Sequence, residues 1–199
     1  MATVLYIKAN AKPEGESRTF KISDSFIEAY KREHPEDEII TLDLYKEGIG
    51  PLKPEDIPSV LAKEKDRNDP VLKYAYQFID ADKYVIAAPI WNLSVPGIIK
   101  CYVDYACLGG LCFHYTPNGP VGHLQGKKAI HITTRGGDYS SLEMQANEMG
   151  DKYLKNLFAI YGIEDYQTLA VDMMDVWGTD VEKMISDAID KAQAIAKDF

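Results

Sequence analysis

The chain has 199 residues, 46% hydrophobic and 27% charged, with a net charge of -9 at pH 7, the balance of a single soluble domain able to bury roughly 70% of its unfolded surface. That charge opposes a phosphate backbone or an anionic bilayer, so nucleic acid and membrane are not expected partners, and no run approaches the roughly 20 apolar residues that span a bilayer. Cys101, Cys107 and Cys112 lack metal-finger or redox-pair spacing, and their odd number argues against a disulfide framework.

The N-terminus reads as entering a strand with no basic region or cleavage site, so a cytoplasmic location is expected. Val4-Leu5-Tyr6-Ile7 reads as a first buried strand. Lys8 to Glu16 is a loop, and Ser17 caps a helix whose inner face carries Phe20, Ile22, Phe26, Ile27 and Tyr30. A helix N-terminus fed by such a loop favours an anion, because free N–H groups and the helix dipole both point at it. Ser17 and Thr19 add hydroxyls and Arg18 a cation. A plain helix cap is the alternative for Ser17. No G-x-G-x-x-G occurs in this turn, so the site suits one phosphate monoester rather than a dinucleotide.

Glu38 to Asp43 reads as the second strand. The stretch 46–68 is rich in proline and charge, and Ile57 to Lys65 within it is expected to form a short helix in a lid or partner contact, with solvated linker as the alternative. Asp69-Pro70 opens the next helix, with Val71, Tyr74, Ala75, Phe78 and Ile79 facing inward. Tyr84-Val85-Ile86 follows as a central strand buried on both faces. Pro89 is expected to stop its ladder, and Ser94 with Pro96 to open a helix from Val95 to Ala106. Pro89, Ile90, Trp91, Asn92 and Leu93 then lie at a strand's carboxyl end, where open α/β sheets bind ligands, and an exposed Trp beside an Asn suits a flat heteroaromatic ring.

The second excursion, 107–126, carries Asn118-Gly119 and reads as a small hairpin projecting from the sheet, with Phe113 and Tyr115 on one face. Lys128 to Thr133 is the fourth strand. Thr134-Arg135-Gly136-Gly137 leaves it, two glycines allowing close approach to a ligand. A helix is expected from about Ser140 or Ser141, with Leu142, Met149, Tyr153, Leu154, Leu157 and Phe158 inward and Gly162 as its C-terminal cap. Tyr166 to Val171 is the fifth strand. The following loop, Met173 to Trp177, is apolar enough to expect cover from a partner subunit or lid, and Thr179 with Glu182 reads as the capping box of a closing helix.

Five alternations of strand and helix over 1–199 imply a single α/β domain with a parallel sheet of order 2-1-3-4-5 and helices on both faces. His34, His114, His123 and His131 lack ligand spacing, so no metal is expected, and no G-x-S-x-G elbow supports a hydrolase.

The string Pro89-Ile90-Trp91-Asn92-Leu93-Ser94-Val95-Pro96-Gly97-Ile98-Ile99-Lys100, together with Thr134-Arg135-Gly136-Gly137 and Ser17-Arg18-Thr19, resembles the FMN-dependent NADH azoreductases, a branch of the flavodoxin-like quinone reductases. The resemblance covers essentially the whole chain. It implies that Ser17, Arg18 and Thr19 match the family's Ser-x-Ser phosphate loop and that Asn10 stands where the family has serine. It further implies that Pro89 to Leu93 and Thr134 to Gly137 flank the flavin ring, and that Asn92, Gly136 and Tyr115 line the substrate pocket, Tyr115 matching a pocket tyrosine of a Phe-x-Tyr-Thr hairpin. The implied enzyme is a homodimer whose chemistry is carried by FMN rather than a catalytic side chain. NADH or NADPH delivers hydride, then leaves for a quinone or azo acceptor. A flavodoxin-type electron carrier is the competing reading, and an interaction module that has lost its cofactor a weaker one.

Overall fold

The apolar runs pair as one sheet: β1 (Thr3–Lys8), β2 (Glu38–Asp43), β3 (Lys83–Ala87), β6 (Lys128–Thr134) and β7 (Asp165–Val171), all parallel, in the order β2-β1-β3-β6-β7. This is the expected 2-1-3-4-5 arrangement. The remaining pair, β4 (Phe113–Thr116) and β5 (Gly119–Gly122), is a separate antiparallel hairpin. The computed structural model describes residues 1–13 and 15–199; residue 14, in the first expected loop, lies outside the described residues.

Alternation divides the side chains of the sheet between two cores. Val4, Tyr6, Val85, Ala87, Ile130 and Ile132 face α1 (Arg18–Glu33) and α6 (Val181–Asp198). Leu5, Ile7, Tyr84, Ile86 and Ala129 face α3 (Lys73–Asp80), α4 (Gly97–Ala106) and α5 (Gly150–Ile160). Both faces of β1 and β3 are therefore buried, as their unbroken apolar runs require.

Several local expectations change. The helix expected from Ser140 begins only at Gly150, and Leu142 is 91% exposed. The capping groups are spent on a loop instead: Ser140 donates its N–H and hydroxyl to Asp172, and the Ser141 N–H bonds Asp138. Thr179 does not cap α6; Asp180 does, accepting from the Lys183 N–H at 3.1 Å. Ser94 does not open α4, which starts at Gly97, because Ser94 pairs with Trp91 across a tight turn. β3 ends at Ala87, ahead of Pro89, as expected, though backbone bonds toward β6 continue past it. The N–H groups of Ala88 and Ile90 on either side of it donate to Ile132 and Thr134.

The 46–68 excursion is not a lid. Its short helix α2 (Ile57–Leu61) puts Val60 against Leu72, Ala75 and Leu108, and Asp56 accepts from the Tyr105 hydroxyl at 2.7 Å, so the segment clads the α3–α4 layer. The hairpin's turn falls on Pro117 and Asn118, with Gly119 inside β5 at φ +113°. It links the C-terminal end of α4 to the start of β6, and Phe113 stacks on Tyr161 at the end of α5. The hairpin thus sits at the amino ends of the strands.

Candidate functional site

The first turn of α1 is organised around Ser17. Ser17 is its N-cap, and its Oγ accepts from the Phe20 N–H at 3.1 Å and from Asn10 Nδ2 at 2.9 Å. With both acceptor positions taken, the Ser17 hydroxyl proton is left to donate outward. The N–H groups of Arg18 and Thr19 belong to those a helix start leaves without carbonyl partners. Asn10 organises the loop from within, because its Oδ1 also accepts from the Lys12 N–H.

Thr19 departs from expectation. Its side chain is fully buried and its hydroxyl lies 2.7 Å from that of Thr134, so it fastens α1 to β6 instead of facing a phosphate. Arg18 is likewise engaged, donating through Nη1 to the Met174 carbonyl and to Asp175 Oδ1, both at 2.7 Å.

The loop after β3 is a strained two-residue turn. Trp91 and Ser94 form the bridge, while Asn92 and Leu93 carry φ of +50° and +70°. Asn adopts this left-handed region with little cost; Leu does not. The loop is nevertheless held, since the Leu93 carbonyl accepts from the Met149 N–H at 2.9 Å.

The loop after β6 is tied to the exit of β7. The carbonyls of Arg135, Gly136 and Gly137 accept from the N–H groups of Met174, Asp175 and Met173. Met174 is thereby buried within its own chain, contrary to the expectation that the whole 173–177 loop needs outside cover, whereas Trp177 is 100% exposed. Arg135 is buried between Asp172, 3.4 Å from Nη1, and Glu148, 3.9 Å from Nη2. Its Nε is a buried donor without a partner among the described residues, so the loop holds unused hydrogen-bonding capacity.

These loops converge at the carboxyl ends of the strands. Asn10, Arg18, Pro89, Ile90, Trp91, Thr134, Arg135 and Gly136 line one cleft of about 80 Å³, joined by Lys12, Met174 and Asp175. Asn10 and Lys12 also line an adjoining cleft of about 370 Å³, which contains Ser17. Lys12, Met174 and Asp175 were not legible as site residues; the apolar exit loop was the one hint for the last two. Asn92, Leu93 and Gly137 stand outside the narrower cleft, the first two forming the turn at its rim. Tyr115 is not brought to it at all. The hairpin lies at the opposite end of the sheet, and Tyr115 is 79% exposed.

A phosphate-bearing flat ligand fits these features. The capped α1 turn with Ser17, Arg18 and Lys12 offers donors and positive charge, and Trp91 with the Thr134–Gly136 stretch offers apolar and backbone surface beside it.

A family model described as flavodoxin-like fold matches residues 2–196. The chain is 58% identical over 200 residues to an FMN-dependent NADH:quinone oxidoreductase 2 of Clostridium acetobutylicum. It is 54% identical over 201 residues to an FMN-dependent NADH:quinone oxidoreductase of Clostridium perfringens. In both cases 100% of each chain is covered. Among solved structures it is similar to an azoreductase from Bacillus anthracis str. Sterne, with a TM-score of 0.89, 31% identity and 100% of both chains covered. An FMN-dependent NADH-azoreductase from Bacillus anthracis str. Ames Ancestor, solved in complex with FMN, matches with a TM-score of 0.89 and 27% identity, over 100% of this chain and 99% of that one.

Proposed function

The chain belongs to the FMN-dependent NADH:quinone oxidoreductases of flavodoxin-like fold, and on that premise we propose that it is an oxidoreductase passing two electrons from NADH to a quinone or azo acceptor. The observation that carries this reading is the convergence of Asn10, Arg18, Pro89 to Trp91 and Thr134 to Gly136 on one cleft at the carboxyl ends of β1, β3 and β6. FMN, when bound, supplies the hydride-accepting and electron-donating chemistry.

The protein's part is binding and orientation. Ser17 and the N–H groups of Arg18 and Thr19 would hold the phosphate at the start of α1, with Lys12 adding positive charge, the Arg18 guanidinium being paired with Asp175. Pro89 to Trp91 would line one side of the ring and Thr134 to Gly136 the other. Gly136 offers no side chain to obstruct it. The carbonyls of Gly136 and Gly137 are turned to the β7 exit loop, which leaves their N–H groups as the donors available to an electron-rich ring. Asn92, at the rim, would orient the acceptor.

Two chains are proposed to pair. What supports this is the exposure of Trp91, Leu93, Met149, Val176 and Trp177 around the cleft, and of Tyr115 on a hairpin too distant to serve its own chain. Tyr115 would then cover the partner's pocket. The relatives are named as enzymes, which weighs against a flavodoxin-type carrier.

Steady-state kinetics with NADH and a soluble quinone test the shared pocket. Parallel reciprocal plots are expected, because the first product must leave before the acceptor enters. Intersecting plots, with both substrates held at once, would overturn it.

A further inference from the structure

His131 lies in the middle of β6, fully buried, with no role in the cleft just described. Its Nε2 is 3.1 Å from the carbonyl oxygen of Ala88, the residue that leads into Pro89. Its Nδ1 is 3.0 Å from Asp151 Oδ1 in the first turn of α5. A carbonyl and a carboxylate only accept, so both contacts are hydrogen bonds when both ring nitrogens carry a proton.

Asp151 is set to remain a carboxylate. Burial pushes its carboxyl up, but hydrogen bonds from His131, Thr168 and Tyr166 outweigh that and hold it below its ordinary value. The Thr168 and Tyr166 hydroxyls reach the same oxygen at 2.8 and 2.9 Å. Glu148 and Lys152 are the other charged groups at this end of α5: Glu148 is directed to the Asp151 and Lys152 N–H groups and to Arg135, and the Lys152 ammonium donates to the Gln145 carbonyl.

The same turn of α5 grips the loop's far side. Met149 donates to Leu93, and a Cβ on Gly150 would stand 3.2 Å from the Val95 nitrogen, so helix and loop are in backbone contact. The Ala88 carbonyl lies on one side of the His131 ring and the Asp151 carboxylate on the other.

We propose that His131, protonated on both ring nitrogens and paired with Asp151, is a positioning residue for the bound flavin. It fixes the Ala88 carbonyl, and with it the Pro89–Leu93 loop, and presents the positive end of a buried ion pair to the ring that this loop lines. The proposal rests on the flavin reading above. Its consequence is preferential stabilisation of the electron-rich reduced ring.

The test has two arms. In the flavin-free wild-type protein, proton–nitrogen correlation spectra at neutral pH should show both His131 ring nitrogens protonated; one bare nitrogen would overturn the proposal. In the second arm, dissociation constants for oxidised and reduced FMN are measured for the wild type and for His131→Gln, which keeps a donor but no charge. Reduced FMN should be weakened about tenfold more than oxidised FMN. Equal weakening of both forms, as a merely structural role would give, or no weakening, would overturn it. Failure of the wild type to bind FMN at all would instead sink the flavin reading, and the ring-proton count would still decide the charge of His131.

Discussion

The hydroxyls of Thr19 and Thr134 lie 2.7 Å apart, with Thr19 fully buried, so the first turn of α1 and the end of β6 are joined through a hydrogen bond shielded from water. Two loops of the proposed flavin site thus share one anchor. Thr19→Val keeps the shape but leaves the Thr134 hydroxyl unpaired in a buried place, which costs about 1–3 kcal/mol. Denaturant unfolding should show that loss together with weaker FMN binding. Unchanged stability would mean the two threonines do not depend on each other.

The pairing of Thr19 with Thr134 also marks how far the sequence could be read. Tyr84-Val85-Ile86 announces a strand buried on both faces, and the order of the sheet follows from alternation with helices. Loops at strand ends were readable for the same reason, since Ile90, Trp91 and Gly136 owe their place to the ends of β3 and β6. What the sequence hides is partner choice. Nothing local tells that the Thr19 hydroxyl is spent on a residue 115 positions away, or that Ser140 serves Asp172 rather than a helix start. Asp175 joined the cleft unannounced because its position depends on the pairing of two loops across β6 and β7.

The turn at Asn92 and Leu93 separates backbone from side-chain roles. Asn92→Ala places a residue with no left-handed preference at φ +50° and should cost about 1 kcal/mol, with lower turnover. Asn92→Gly preserves the turn while removing the side chain. If Asn92 orients the acceptor, both variants lose turnover and only the alanine variant loses stability, as kinetics beside thermal unfolding would reveal. Full turnover in the glycine variant would remove the side chain from the site.

Gly122 admits no side chain. A Cβ there would overlap the Tyr161 carbonyl carbon, where β5 is pressed against the end of α5. Gly122→Ala should therefore undock the hairpin and cost about 1–3 kcal/mol. Because the hairpin carries Tyr115, the variant should also sediment with a larger monomer fraction than the wild type. An unchanged dimer would detach the hairpin from the proposed subunit contact.

Acid should weaken the fold through Asp151 and Asp37. The carboxyl of Asp37 is held low, first by the Tyr30 hydroxyl and then by the Ala2 N–H; that of Asp151 is low for the reasons given above. Groups depressed in the folded state contribute stability that is complete above the unfolded value, about 4, and is lost as pH falls through the folded one. Unfolding free energy should be level in this respect near neutrality and drop below about pH 4. Asp151→Asn should flatten part of that acid slope. An identical slope in the variant would show that Asp151 does not contribute.

The most direct test of the account is the visible spectrum of the purified protein, supplemented with FMN, before and after anaerobic NADH and then after quinone. Bound flavin that bleaches with NADH and regains its colour with quinone is the predicted result. A protein that binds no flavin, or whose bound flavin is untouched by NADH, would contradict it.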